Sequence, residues 1–155
     1  MRLTLAVQES RVMELEFSQI EQFIERGRRG LYMIYLRDAT PLKVGIAGDL
    51  RRRLMHHRRS PDSGLRLKPG GDRSRPEDVE CKRSILGKHL YYDEEIAPGY
   101  DLKTQAGRQA FLRENCTLRV LLTQTRAEAR ELEKQWEATG QFRYVGLVRI
   151  RPSAA

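Results

Sequence analysis

The chain has 155 residues, enough for one domain with a substantial core. Hydrophobic residues make up 39% and charged residues 32%, ordinary values for a soluble globular protein, and no apolar run approaches the ~20 residues that span a bilayer. Two cysteines, Cys81 and Cys116, are too few for a disulfide framework or a thiolate zinc site. The first ten residues also lack the basic start and apolar core of an export signal, so a cytoplasmic protein with reduced thiols is expected.

The net charge is +8, and it is local. Between Arg26 and Arg59 stand ten Lys or Arg residues against Asp38 and Asp49, so ten minus two gives this segment the whole excess. A localised basic block is the electrostatic footprint of a phosphate-backbone binder, although charge alone is equally consistent with a solvated face. The segment has no broad apolar helical face to bury in lipid, which places a membrane surface behind both readings.

In chain order, Leu15, Phe17, Ile20, Phe23 and Ile24 recur at roughly helical spacing and predict an N-terminal helix over 11–26. Leu31 to Leu36 and Leu42 to Ala47 read as strands joined by Arg37-Asp38-Ala39-Thr40-Pro41. Alternation puts Leu31, Met33, Tyr35, Leu42, Val44 and Ile46 on one face. Tyr32, Ile34, Leu36, Lys43, Gly45 and Ala47 then share the other, where small residues leave room for an approaching group. Asp49 caps a helix from Leu50 to about Arg59, with Leu50 and Leu54 buried and Arg53 and His57 one turn apart.

Pro61 to Pro76 reads as a mobile loop rich in Gly, Pro and Arg, and a helix fits within Asp78 to Leu90. Thr104 to Asn115 looks helical, and Thr117 to Thr123 looks like a third strand. Thr125-Arg126-Ala127-Glu128 is a capping-box signal for a helix ending near Gly140, with Ala129, Leu132 and Trp136 as its apolar line. Glu133 borders that line, and a carboxylate there needs a partner. Trp136 and Phe111 read as core, and Arg143 to Ile150 as a last strand.

The stretch Gly30-Leu31-Tyr32, Lys43-Val44-Gly45, Arg53 and His57 resembles the GIY-YIG nuclease family. The two tripeptides stand where that family has its own, and the arginine and histidine fall four residues apart on the following helix. The family's late glutamate is matched best by Glu133, with Glu131 in reserve. The resemblance runs from Gly30 to Glu137, but residues 60–103 match nothing in it. Lys43 departs from the named tripeptide, which has tyrosine there; Ala47 and Asp49 are smaller departures.

This resemblance implies an α/β fold of the α+β type: a small, mainly antiparallel three-stranded sheet flanked by helices, with an inserted region. The 155 residues would form a single domain, divided as 1–29 (N-terminal helix), 30–59 (motif hairpin and helix), 60–103 (insertion) and 104–150 (helix, strand, Glu-bearing helix, final strand). It also implies a metal-dependent endonuclease acting on DNA, with RNA as the other candidate substrate. Tyr32 would orient or deprotonate a water, Arg53 would hold a phosphate oxygen, and His57 would relay a proton or position the phosphate. Glu133 would anchor one divalent ion, Mg²⁺ or Mn²⁺. Lys43 would help Tyr32 ionise if the hairpin brought it there: a tight turn sets Lys43 opposite Leu36, a longer loop opposite Tyr32. Arg28, Arg29, Arg51, Arg52, Arg58 and Arg59 would grip the nucleic-acid backbone.

Each residue also has a plainer reading. Tyr32 as a half-exposed strand aromatic, Arg53 as one of three non-specific arginines, His57 as a surface histidine and Glu133 as the partner of a cation on its own helix would describe a non-catalytic nucleic-acid-binding module on the same scaffold. A domain whose basic patch docks an acidic protein is the third class. A symmetric homodimer would produce two cuts, but no residue pattern demonstrates one.

Overall fold

The computed structural model describes residues 11–81, 83 and 85–146. In chain order the elements are β1 (Met13–Glu16), a 3₁₀ turn (Phe17–Gln19), α1 (Ile20–Phe23), β2 (Gly30–Leu36), β3 (Pro41–Ala47) and α2 (Leu50–Arg59). Then come a 3₁₀ turn (Asp62–Gly64), β4 (Arg66–Leu67), a 3₁₀ turn (Pro76–Asp78), β5 (Val79–Glu80), α3 (Ile85–Tyr92), α4 (Gln105–Asn115), β6 (Cys116–Leu122) and α5 (Arg126–Ala138). The fold is mixed α+β and falls into two compact units, Met1–Met55 with Leu112–Arg143, and His56–Phe111 with Tyr144–Ala155.

The first unit holds an antiparallel four-stranded sheet in the order β1-β6-β2-β3. Its fourth strand is β1, which replaces the expected N-terminal helix with a strand followed by only a short helical segment. The physical reason lies in Glu14-Leu15-Glu16. Leu15 turns into the core opposite Leu118, while Glu14 faces Arg119 across the ladder and pairs with it at 3.2 Å.

Central β2 is buried on both faces from Gly30 to Tyr35. One face joins Leu31, Met33, Tyr35, Val44, Leu121, Leu132, Trp136 and Phe142 into a core cluster, which seats α5 on that side. On the other face Gly30 meets the start of α2: the Leu50 methyl lies 3.0 Å from where a Cβ of residue 30 would stand. The hairpin runs in register from Gly30–Ala47 to Ile34–Lys43, then shifts so that Tyr35 pairs with Pro41. The shift absorbs Leu42 as an extra residue at the edge, where a proline costs the ladder nothing.

Local signals set the helix ends. Asp49 Oδ1 accepts from the Arg52 amide (3.3 Å) at the start of α2, and Thr125 Oγ1 accepts from the Glu128 amide (3.1 Å) at the start of α5. Past the end of α5, Gly140 takes a left-handed φ of 70°. Arg37 clamps the hairpin turn: its guanidinium donates to both Glu16 oxygens (2.9 and 2.7 Å) and to the Glu114 carbonyl at the C-terminus of α4. That contact holds the Glu16 carboxyl below its ordinary range.

The second unit gives the inserted region a structure that the loop reading missed. β4 and β5 pair as a two-stranded ribbon, and α3 begins only at Ile85. Its anchor is Arg108, fully buried on α4. Arg108 donates to Ser60 Oγ (2.9 Å), to the carbonyls of Ser60 (3.1 Å) and Leu102 (3.1 Å), and to Asp62 Oδ1. Gln105 and Gln109 donate to the Arg59 carbonyl at 3.2 and 2.8 Å. Residues 143–146 form no strand, and the remainder of the expected last strand lies outside the described residues.

Candidate active site

Four of the sequence-predicted residues come together within the first unit: Tyr32, Lys43, Arg53 and Glu133. His57, Arg58 and Arg59 belong to the second unit, where His57 is 2% exposed and thus no surface histidine.

Tyr32 lies opposite Gly45 in the hairpin. A Cβ at position 45 would collide with the Tyr32 hydroxyl and ring, so only glycine lets the phenol cross the neighbouring strand. The space expected beside Tyr32 is therefore taken by its own ring, and Tyr32 is 1% exposed instead of half-exposed.

Burial pushes the Tyr32 phenol above its ordinary value, and Glu133 adds to that rise. The Arg53 guanidinium opposes both, through its charge and a hydrogen bond donated to the phenol. Burial wins: the resting phenol keeps its proton at neutral pH.

Lys43 faces Ile34, two pairs along the ladder from Tyr32 and Gly45, so neither expected register holds. The bulge at Leu42 sets this spacing. Arg53 is the cation that acts on Tyr32, whereas Lys43 acts on Glu133. Glu133 sits on α5, which packs against the Leu31 and Met33 face of the sheet, and the charge of Lys43 on edge strand β3 reaches it. Desolvation and Glu137, one turn along, raise the Glu133 carboxyl, while Lys43 and Arg130 pull it down. Glu131, the reserve glutamate, is exposed, whereas Glu133 is half-buried.

Among the described residues no three His, Cys, Asp or Glu side chains cluster as a metal cage. Mg²⁺ does not require one, since it is commonly held by one or two carboxylates and several waters. A half-buried Glu133 with Glu137 beside it fits that donor set, and Lys43 is a resident positive charge any such ion must share it with.

The basic residues frame this group. The Arg28 carbonyl accepts from the Leu50 amide (2.8 Å) and the Arg29 carbonyl from the Thr123 amide (3.0 Å), which pins an exposed arginine loop to the start of α2. Arg51 and Arg52 occupy the first turn of that helix, and it holds no acidic residue. Cations there oppose the helix dipole, each by about 0.3–1 kcal/mol, a cost that an anion bound at this end would reverse.

Comparison of the chain with protein-family models, with curated proteins and with solved structures gave no match. Sequence reasoning missed Arg130 and Glu137, whose spacing of three and four residues from Glu133 was the available signal. It also missed Arg108, which no local pattern marks as buried.

Proposed function

We propose that this chain is a metal-dependent endonuclease that hydrolyses phosphodiester bonds in DNA. The observation that supports it most is the Tyr32–Arg53 hydrogen bond next to Glu133, with Arg28, Arg29, Arg51 and Arg52 around the same end of α2. A tyrosine carrying a water, an arginine fitted to a phosphate and a carboxylate fitted to a divalent ion are the parts that backbone hydrolysis needs.

In this reading the guanidinium of Arg53 engages a non-bridging phosphate oxygen, a geometry in which arginine exceeds lysine. Tyr32 orients the attacking water, whose oxygen forms the new bond to phosphorus as the leaving sugar oxygen departs and takes up a proton. A divalent ion on Glu133, when bound, would neutralise charge on the phosphate. Lys43 contributes a fixed positive charge that reaches the same carboxylate.

The burial of Tyr32 and its retained proton favour a second reading, a nucleic-acid-binding module that does not cut. One experiment separates them: plasmid and branched DNA incubated with the protein, with and without Mg²⁺ or Mn²⁺. Metal-dependent cutting that Tyr32→Phe and Glu133→Gln abolish, with binding retained, is the expected result. Salt-sensitive binding without cutting would establish the second reading.

A further inference from the structure

We infer that Tyr91, Tyr92, Arg73 and Lys103 in the second unit form a contact surface for unpaired nucleotides. The inference rests on the reading of the chain as a nucleic-acid-acting protein, but uses none of the residues assigned to cutting.

Tyr91 and Tyr92 close α3, both partly exposed, with ring centroids 4.8 Å apart at 67°. The Lys103 ammonium lies 4.6 Å from the Tyr91 centroid and 5.9 Å from that of Tyr92. The Arg73 guanidinium lies 6.0 Å from Tyr91. Such distances mark cations resting on aromatic rings, a contact worth little at an exposed site and readily exchanged for a phosphate.

The surface is prearranged. The Tyr92 hydroxyl donates to the Arg73 carbonyl at 2.6 Å, and Arg73 Nη1 donates to the Leu65 carbonyl at 3.3 Å, which ties the ribbon's connecting loop to the helix. Three of the nearby acidic groups have partners within the chain. Asp72 Oδ1 accepts from the Ser74 amide (2.9 Å), Glu77 pairs with Arg75 (3.0 Å) and Asp101 Oδ1 accepts from the Lys103 amide (3.2 Å). Among the described residues, Arg73 and Lys103 form no ion pair. Two exposed cations without carboxylate partners, set against two rings, match the chemistry of a single strand, whose bases stack on aromatics while its phosphates meet the cations. A base held in a duplex offers no face for this.

The test is anisotropy of labelled single-stranded and duplex DNA on the full chain in EDTA, so that cutting plays no part. Tyr91→Ala is expected to weaken single-strand binding about tenfold or more, with duplex binding changed less than twofold, whereas Tyr91→Trp retains it. Arg73→Gln with Lys103→Gln should lower both the affinity and its salt dependence. Equal losses for both DNA forms, or no loss in any variant, would overturn the inference even if the wild type cuts duplex DNA. If the wild type bound neither form, this surface and the nuclease reading would fail together.

Discussion

The Tyr32 ring occupies the volume that any side chain at Gly45 would need. The two residues are cross-strand partners, so the tyrosine's position and the glycine's identity are one structural fact. Gly45→Ala should therefore displace Tyr32 and cost about 1–3 kcal/mol through overpacking. Thermal unfolding would register this as a drop of several degrees, and any cleavage activity should fall with it.

Tyr32 should ionise above the ordinary tyrosine value. Its folded value lies above the unfolded one, so the stability it contributes is present below about pH 10 and lost as pH rises through the folded value. Ultraviolet titration of tyrosinate should show a delayed component that Tyr32→Phe removes. Arg53→Gln should delay it further, because Arg53 is the group that pulls the phenol down.

Lys43 and a divalent ion compete for Glu133. Lys43→Met should tighten Mn²⁺ binding, read by electron paramagnetic resonance, by about tenfold, the equivalent of ~1.4 kcal/mol of relieved repulsion. Glu133→Gln should abolish that binding in either background. An unchanged affinity in Lys43→Met would show that the ion sits elsewhere.

Arg108→Met should loosen the second unit. It removes a fully buried guanidinium and strands the carbonyls of Ser60 and Leu102, at a cost of about 2–4 kcal/mol. Hydrogen exchange should rise around residues 60–62 first. Arg108→Lys should not rescue it, since one ammonium cannot meet partners spread along a planar fork.

Cys116 is buried and its thiol is pushed up to about 12, with Arg37 only partly opposing. Its neutral form stabilises the fold below the ordinary thiol value, and that contribution disappears as pH climbs from there to about 12. In the native state an alkylating reagent should spare Cys116 and react at the partly exposed Cys81; denaturant should expose both.

Features decided by neighbours in sequence were legible. The hairpin alternation, the Asp49 and Thr125 caps and the Leu50–Leu54 line all rest on contacts a few residues apart. β1 was not, because its partner β6 lies about a hundred residues away and the spacing of Leu15, Phe17 and Ile20 also suits a helix. The ribbon strands, two residues each, are too short to show a period. At the site, residue identities could be read but not their pairing. A single bulge at Leu42 moved Lys43 opposite Ile34, and only the packed fold reveals that Tyr32 is enclosed.

The chain's one tryptophan sits in the first unit's core, edge-on to Phe142 at 6.5 Å, with its indole Nε1 buried and without a hydrogen-bond partner among the described residues. An indole held dry and unbonded emits at short wavelength and shifts to the red when water reaches it. Trp136 is thus a built-in optical reporter for the sheet alone. Tyr91, Tyr92 and Tyr100 lie in the other unit, so tryptophan emission followed beside a probe of those tyrosines can show whether the two halves of this protein melt as one body or in succession.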